Sequence, residues 1–74
     1  MAKLRRLSGR ETCKILAQQG FVEVRQKGSH IIMQKKVGRT TTTVPVPDHA
    51  ELRQGTLAGI IRQSGLPRTL FEVE

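Results

Sequence analysis

Residues 21–46 read FVEVRQKGSHIIMQKKVGRTTTTVPV and contain three β-strand patterns in immediate succession. In the first, Phe21–Lys27, apolar and charged residues alternate, which predicts a half-buried strand. Val22 and Val24 are expected to face the core, and Glu23, Arg25 and Lys27 to face solvent. Gly28-Ser29 is a turn signal that ends this strand and begins a hairpin.

The second strand pattern is His30–Lys36, and the third is Thr40–Val46, which is rich in the β-branched residues that favour strands. Val37-Gly38-Arg39 predicts the turn between them. Three consecutive apolar residues at 31–33 leave open which side of the second strand faces the core. Because the connections are short, antiparallel pairing of neighbouring strands is the expected topology.

A helix is predicted before the strands, over about Gly9–Gln19. Ser8 and Glu11 have the spacing of a capping box, in which the side chain of each residue accepts a hydrogen bond from the backbone amide of the other. Thr12, Ile15 and Leu16 recur at helical spacing and form the predicted buried stripe.

A second helix is predicted after the strands, with Thr56 as its cap and Gly65 as its end. Pro45 and Pro47 cannot donate to a β-ladder, so they are expected to end the third strand. Gly59 lies inside the second helix at a cost of up to about 1 kcal/mol. Such a glycine suggests that the helix packs closely against the sheet.

These elements predict an α+β fold in the order helix, three-stranded antiparallel sheet, helix. Both helices have one apolar side, so both are expected on one face of the sheet, with the other face open to solvent. We expect a single domain over residues 1–74, with its core at about 8–66. The pattern assigns no structure to the short tail at 67–74.

The 74 residues include 13 Lys and Arg against 6 Asp and Glu, a net charge of +7. This positive field favours nucleic acid, an anionic membrane or an acidic protein as partner. Cys13 is the single cysteine, so an internal disulfide and a cysteine-ligated zinc site are both excluded, and it is interpreted as a core-edge residue. Without an apolar run of membrane-spanning length, the chain is expected to be cytoplasmic and not bound to a membrane.

The ordered motifs of the chain resemble those of the HicA toxin family. The resemblance spans roughly residues 8–66, and although each motif is short, their order is specific. It is carried by Ser8-Gly9-Arg10-Glu11, Gly20-Phe21, Arg25-Gln26-Lys27-Gly28-Ser29-His30, Val44-Pro45, Asp48-His49, Glu51-Leu52, Gly55-Thr56-Leu57 and Ile60–Leu66.

This resemblance implies a fold similar to the double-stranded-RNA-binding domain and a ribosome-independent nuclease that cleaves mRNA. It also implies a HicB-type antitoxin that masks the catalytic histidine of the glycine–serine–histidine signature, which is His30 here. The chain departs from the family at Ile31, where a second histidine is frequent, and in the tail at 68–74.

RNA hydrolysis through the ribose 2′-hydroxyl needs a proton acceptor, cationic stabilisation of the phosphorane and a proton donor. Histidine suits the proton transfers near neutral pH, so neither a metal nor another cofactor is expected. His49 is either a second acid/base or a loop residue bonded to Asp48. The residues expected to contact RNA are Arg25, Lys27, Gly28, Ser29, Lys35 and Lys36.

Two other functions are compatible with the composition. The first is a non-catalytic RNA-binding module that recognises backbone and shape, and the second is a module that binds an acidic protein. A DNA-binding role is less favoured, because three strands separate the helices and no helix-turn-helix pair is formed.

Overall fold

The computed structural model describes residues 2–73 and has the predicted order of helix, three-stranded antiparallel sheet and helix. The strands lie in the order β1-β2-β3. Within the described residues, no helix is long and apolar enough to cross a bilayer. The elements are α1 (Gly9–Gln18), β1 (Val22–Lys27), β2 (His30–Val37), β3 (Thr40–Pro47), α2 (Gln54–Ser64) and a short 3₁₀ helix (Arg68–Phe71).

The predicted capping box begins α1. The Glu11 amide donates to Ser8 Oγ at 3.0 Å, and the Ser8 amide donates to Glu11 Oε1 at 2.9 Å. This bond from the Ser8 backbone lowers the pKa of the Glu11 carboxyl, because the carboxylate form accepts it more strongly. The helix ends at Gln18 with Gln19 as its C-cap, within one residue of the predicted end.

Two tight turns set the register of the sheet. Gly28 and Gly38 have φ of +59° and +61°, and none of the described non-glycine residues has a positive φ. A positive φ confined to the first central residue is the pattern of a type II′ hairpin turn. The predicted turn at Gly28-Ser29 is confirmed, whereas Val37, assigned to the second turn from the sequence, belongs to β2.

The prediction that Val22 and Val24 face the core is wrong. They are 62% and 48% exposed, and every residue of β1 is exposed. The ladder is interrupted between Glu23 and Arg25, so Glu23 pairs with Met33 but Arg25 pairs with Ile32. This bulge places the extra residue Val24 outside the register and reverses the facing of the strand beyond it.

β3 ends at Pro47, one residue beyond the predicted Val46, but the expectation that Pro45 also ends the strand is wrong, because Pro45 lies within it. Pro45 pairs with Ile32, and Pro47 pairs with His30. β3 is an edge strand, and residues 45 and 47 are two apart, so their nitrogens both lie on the same side of the strand. Prolines are tolerated where that side is the unpaired one.

The hydrophobic core lies between one face of the sheet and both helices, as predicted. The open question at residues 31–33 is resolved, because Ile31 and Met33 belong to this core, whereas Ile32 lies on the opposite face. The buried side chains that fill it from the sheet and the two helices are Ile31, Met33, Val44, Val46, Cys13, Leu16, Leu57, Ile60 and Ile61.

The core extends beyond residues 8–66 at both ends. Leu4, Leu7 and Phe71 are buried in it. The Arg5 amide donates to the Phe71 carbonyl at 2.8 Å, and the Val73 amide donates to the Lys3 carbonyl at 2.8 Å. The basic lead-in and the tail therefore pair with each other and close one end of the domain.

The second helix begins earlier than predicted. Its N-cap is Arg53, which makes no side-chain capping bond, and Thr56 lies in its first turn. The preceding Leu52 is buried, and its amide donates to the Leu7 carbonyl at 2.8 Å, so the chain is anchored just before the helix begins. Gly65 ends α2 in the left-handed conformation, as predicted.

Close packing of Gly59 against the sheet, expected from the sequence, is not observed. A Cβ added at Gly59 would meet only Arg62 Nη2, at 3.9 Å. The cost of this glycine in a helix therefore has no packing explanation within the described residues.

Candidate active site

His30 is the first residue of β2 and is exposed to solvent. It pairs with Lys27 of β1 on one side and with Pro47 of β3 on the other. The tight turn at Gly28 holds the backbone on the N-terminal side of His30. The imidazole therefore projects from a rigid hairpin end rather than from a loop.

The side of the sheet that carries His30 is here called the open face, because both helices lie on the other side. Residues paired directly across strands project to the same side, so the pairings identify its members. Besides the His30 imidazole it carries three cationic side chains, those of Arg25, Lys27 and Lys36. Among its paired strand residues there is no Asp or Glu. Its members are Val22, Arg25, Lys27, His30, Ile32, Gln34, Lys36, Thr41, Thr43, Pro45 and Pro47.

The three cations of the open face lie at different distances from His30. Lys27 is its direct cross-strand partner, and Arg25 belongs to the adjacent row with Ile32. Lys36 lies six residues further along the same strand, which corresponds to roughly 20 Å. Lys27 and Arg25 can therefore meet the phosphates nearest His30, whereas Lys36 can contact only a more distant part of an RNA strand.

Lys35, which the sequence placed among the RNA-contacting residues, lies on the helix-covered side. Its Nζ donates to the Gln19 carbonyl at 2.8 Å and lies 5.9 Å from the centroid of the Phe21 ring. It thus binds the C-terminal end of α1, where a cation is favoured by the helix dipole. The geometry separates Lys35 from the other expected RNA contacts.

The acidic residues near the hairpin are paired with Arg10 on the helix side. Arg10 lies 3.3 Å from Glu23 and 3.6 Å from Asp48. Gln26 donates to Asp48 Oδ2 at 3.3 Å and accepts from Arg10 at 3.0 Å. This network, which the sequence analysis did not identify, keeps two carboxylates away from the open face.

A depression of about 210 Å³ opens beside His30. Pro45 and Pro47 form its β3 side, and residues of α2, including Gly59 and Gln63, form the other side. His30 thus lies between the cations of β1, Arg25 and Lys27, and an uncharged depression.

Ser29 and the loop after β3 support this arrangement through their backbones. The Asp48 amide donates to the Ser29 carbonyl at 2.6 Å, and the Gly9 amide donates to the His49 carbonyl at 2.9 Å. Gly28 and Ser29 form the turn beside His30, and both residues are exposed to solvent.

His49 is exposed and does not line the depression beside His30. The interpretation of His49 as bonded to Asp48 is wrong for the described residues, because the Asp48 carboxylate contacts Arg10 and Gln26 instead.

Cys13 is buried, which raises the pKa of its thiol to about 11. Across residues 2–73, no three or more His, Cys, Asp or Glu side chains are grouped to hold a metal ion.

A comparison with curated proteins finds no match. A family model described as the HicA toxin of bacterial toxin–antitoxin systems matches residues 9–66, more than three quarters of the chain. The matched segment includes α1, the whole sheet and α2, and therefore His30 and the open face. The chain belongs to the HicA toxin family.

Proposed function

We propose that this toxin is an endoribonuclease that cleaves mRNA in the cytoplasm, with His30 as its acid/base residue. The observation that carries the proposal is the placement of His30. It is exposed at the hairpin end of the sheet, beside Lys27 and on a face whose paired residues include cations and no carboxylate.

The open face suits a polyanion for two reasons. The net charge of +7 attracts RNA over a distance, and the cations of the open face are positioned to contact its phosphates. The nearby carboxylates of Glu23 and Asp48 are paired with Arg10 on the other side. Phosphate groups approaching His30 therefore meet Arg25 and Lys27 without an opposing negative charge.

The proposed reaction uses the nucleophile that RNA itself carries. His30 takes the proton of a ribose 2′-hydroxyl, and the oxygen attacks the adjacent phosphorus. The bond from phosphorus to the 5′-oxygen of the next nucleotide breaks, and that oxygen takes a proton from His49 or from solvent. Lys27 and Arg25 stabilise the charge that develops on the phosphorane. The products are a 2′,3′-cyclic phosphate and a 5′-hydroxyl.

A HicB-type antitoxin is the proposed partner that neutralises the toxin. A cationic surface that binds RNA also fits an acidic protein surface, and electrostatic complementarity accelerates such encounters. We propose that the antitoxin covers the open face and so excludes RNA from His30. Competition between RNA and the antitoxin for the free toxin tests this proposal.

Cleavage of a defined RNA by purified wild-type protein, His30→Ala and His49→Ala tests the proposed reaction. We expect His30→Ala to lose cleavage by a factor of about 10²–10⁴, with little loss of RNA affinity. Cleavage should persist in the presence of a chelator and leave cyclic phosphate ends. Undiminished cleavage by His30→Ala would remove the assignment, and loss of cleavage in His49→Ala would identify the second proton-transfer group.

A further inference from the structure

The depression beside His30 differs in chemistry from the strand side of the same residue. Its lining contains no Asp, Glu, Lys or Arg. The cations nearest His30 on the open face, Arg25 and Lys27, lie across His30 from the depression, and Arg62 approaches the depression only at Gly59. An uncharged part of the same RNA strand is the better occupant of the depression.

We infer that the depression is a nucleobase subsite, which receives one base of the RNA strand next to the bond that is cleaved. The inference rests on the proposed function, since it places the ribose and phosphate at His30. A volume of about 210 Å³ is below the roughly 300–1,000 Å³ of pockets that enclose a whole drug-sized ligand, so it suits one planar group.

The lining offers both surfaces that a base needs. Pro45 and Pro47 are two residues apart on β3, and both face the depression. Their rings supply apolar area for the flat side of a base in a chain that has no Tyr or Trp. The Gln63 amide on α2 supplies a donor and an acceptor for the edge of the base. Within residues 2–73 this amide has no hydrogen-bond partner, so it is available to a ligand.

Gly59 keeps the depression open. It lines the depression, and a Cβ at this position would contact only Arg62 Nη2, at 3.9 Å. The helix therefore carries a glycine that costs up to about 1 kcal/mol without gaining a close contact with the sheet. Local rules of folding are broken most often at functional sites, and a larger residue here would occupy the space of the base.

RNA binding provides a test that does not depend on cleavage. In the His30→Ala background, we expect an oligonucleotide with one abasic position to bind about tenfold more weakly than the intact strand, at one position along the strand. Gly59→Leu should lower affinity for the intact strand to a similar extent and abolish this discrimination. Its salt dependence should stay unchanged, because no cation is removed. Gly59→Ala serves as the control that adds a side chain without filling the depression.

Cleavage of a randomised RNA pool tests the role of Gln63. Gln63→Ala should flatten the base preference at one position beside the cleaved bond, whereas Gln18→Ala, an exposed glutamine on α1, should keep the wild-type preference. Equal binding of intact and abasic strands by the His30→Ala protein, at every position, would overturn the subsite. If Gly59→Leu fails to fold, binding of the abasic strands and the cleavage preference of Gln63→Ala still test the subsite. If the wild type cleaves RNA but intact and abasic strands bind equally, this inference alone is refuted. If the wild type does not cleave RNA but still binds intact strands more tightly than abasic ones, only the catalytic proposal is refuted.

Discussion

Lys27 and His30 are direct cross-strand partners at the two ends of the Gly28-Ser29 turn. Opposed side chains in an antiparallel pair have Cβ atoms about 5 Å apart, so a phosphate at His30 lies within reach of the Lys27 ammonium. The pair joins the proposed proton-transfer group to a cation, and the turn between them fixes their relative position.

Lys27→Ala is expected to lower RNA cleavage about tenfold and to reduce the salt dependence of RNA binding. Loss of one phosphate contact lowers the slope of log affinity against log salt by about 0.7–1. Lys14→Ala, which removes an exposed cation of α1 on the other side of the sheet, is the matched control. Equal slopes for the two variants would show that Lys27 contributes only to the general positive field.

Lys35 and Lys36 are neighbours on β2 that project to opposite sides of the sheet. Substitution of Lys35 should therefore affect stability, and substitution of Lys36 should affect RNA binding. Lys35→Met removes the bond to the Gln19 carbonyl and the contact with Phe21, and it should lower the free energy of unfolding by about 1–2 kcal/mol. Lys36→Met should leave stability nearly unchanged and lower RNA affinity. Urea unfolding and RNA titration of both variants measure these effects, and a stable Lys35→Met protein with impaired RNA binding would contradict the assignment.

Local signals in the sequence explain why the fold could be predicted. The capping box at Ser8, the turn glycine at position 28 and the stop at Gly65 act through neighbouring backbone atoms, and each is observed where the sequence indicates it. The antiparallel order follows from the short turns. The placement of His30 at a hairpin end required no more than these local rules.

Other features depend on contacts between distant parts of the chain, which periodicity does not report. The bulge at Val24 depends on the register with β2 and reverses the facing of Arg25. The side on which Lys35 lies follows from the burial of its neighbours on β2 and from the position of α1. The depression at Gly59 is formed by two elements that are far apart in sequence. The fold was therefore more predictable than the composition of the site.

Gly9 and Gly59 should respond in opposite ways to substitution by alanine. A Cβ at Gly9 would overlap the Pro47 carbonyl oxygen and approach Asp48 Cα to 3.1 Å, both of them backbone atoms. Gly9→Ala should therefore destabilise the protein by about 2 kcal/mol. Gly59→Ala has room for its methyl group and should stabilise α2 by up to about 1 kcal/mol. Thermal unfolding compares the two, and destabilisation of similar size in both would contradict the difference in packing.

The capping box predicts a pH-dependent contribution to stability. Ser8→Ala should cost about 1 kcal/mol, because the Glu11 amide loses its acceptor. The Glu11 carboxyl has a lowered pKa in the folded state, so its stabilising effect is present above the pKa of the unfolded chain and is lost as the pH falls through the folded value. Glu11→Gln should therefore approach the stability of the wild type at acid pH. A constant difference between them from pH 7 to pH 3 would argue against the charged form of the cap.

Cys13 should be unreactive in the folded protein. Burial raises the pKa of its thiol from 9.0 to about 11, and only the thiolate is nucleophilic. At pH 8 the thiolate population is therefore about 100-fold smaller than in the unfolded chain, and alkylation by iodoacetamide should be slower by at least that factor. Because the folded pKa is the higher one, the contribution of the neutral thiol to stability is complete below about pH 9. It is lost as the pH rises to 11. Cys13→Ala should remove this part of the alkaline destabilisation, and rapid alkylation of the native protein at pH 8 would show that the thiol is not buried as described.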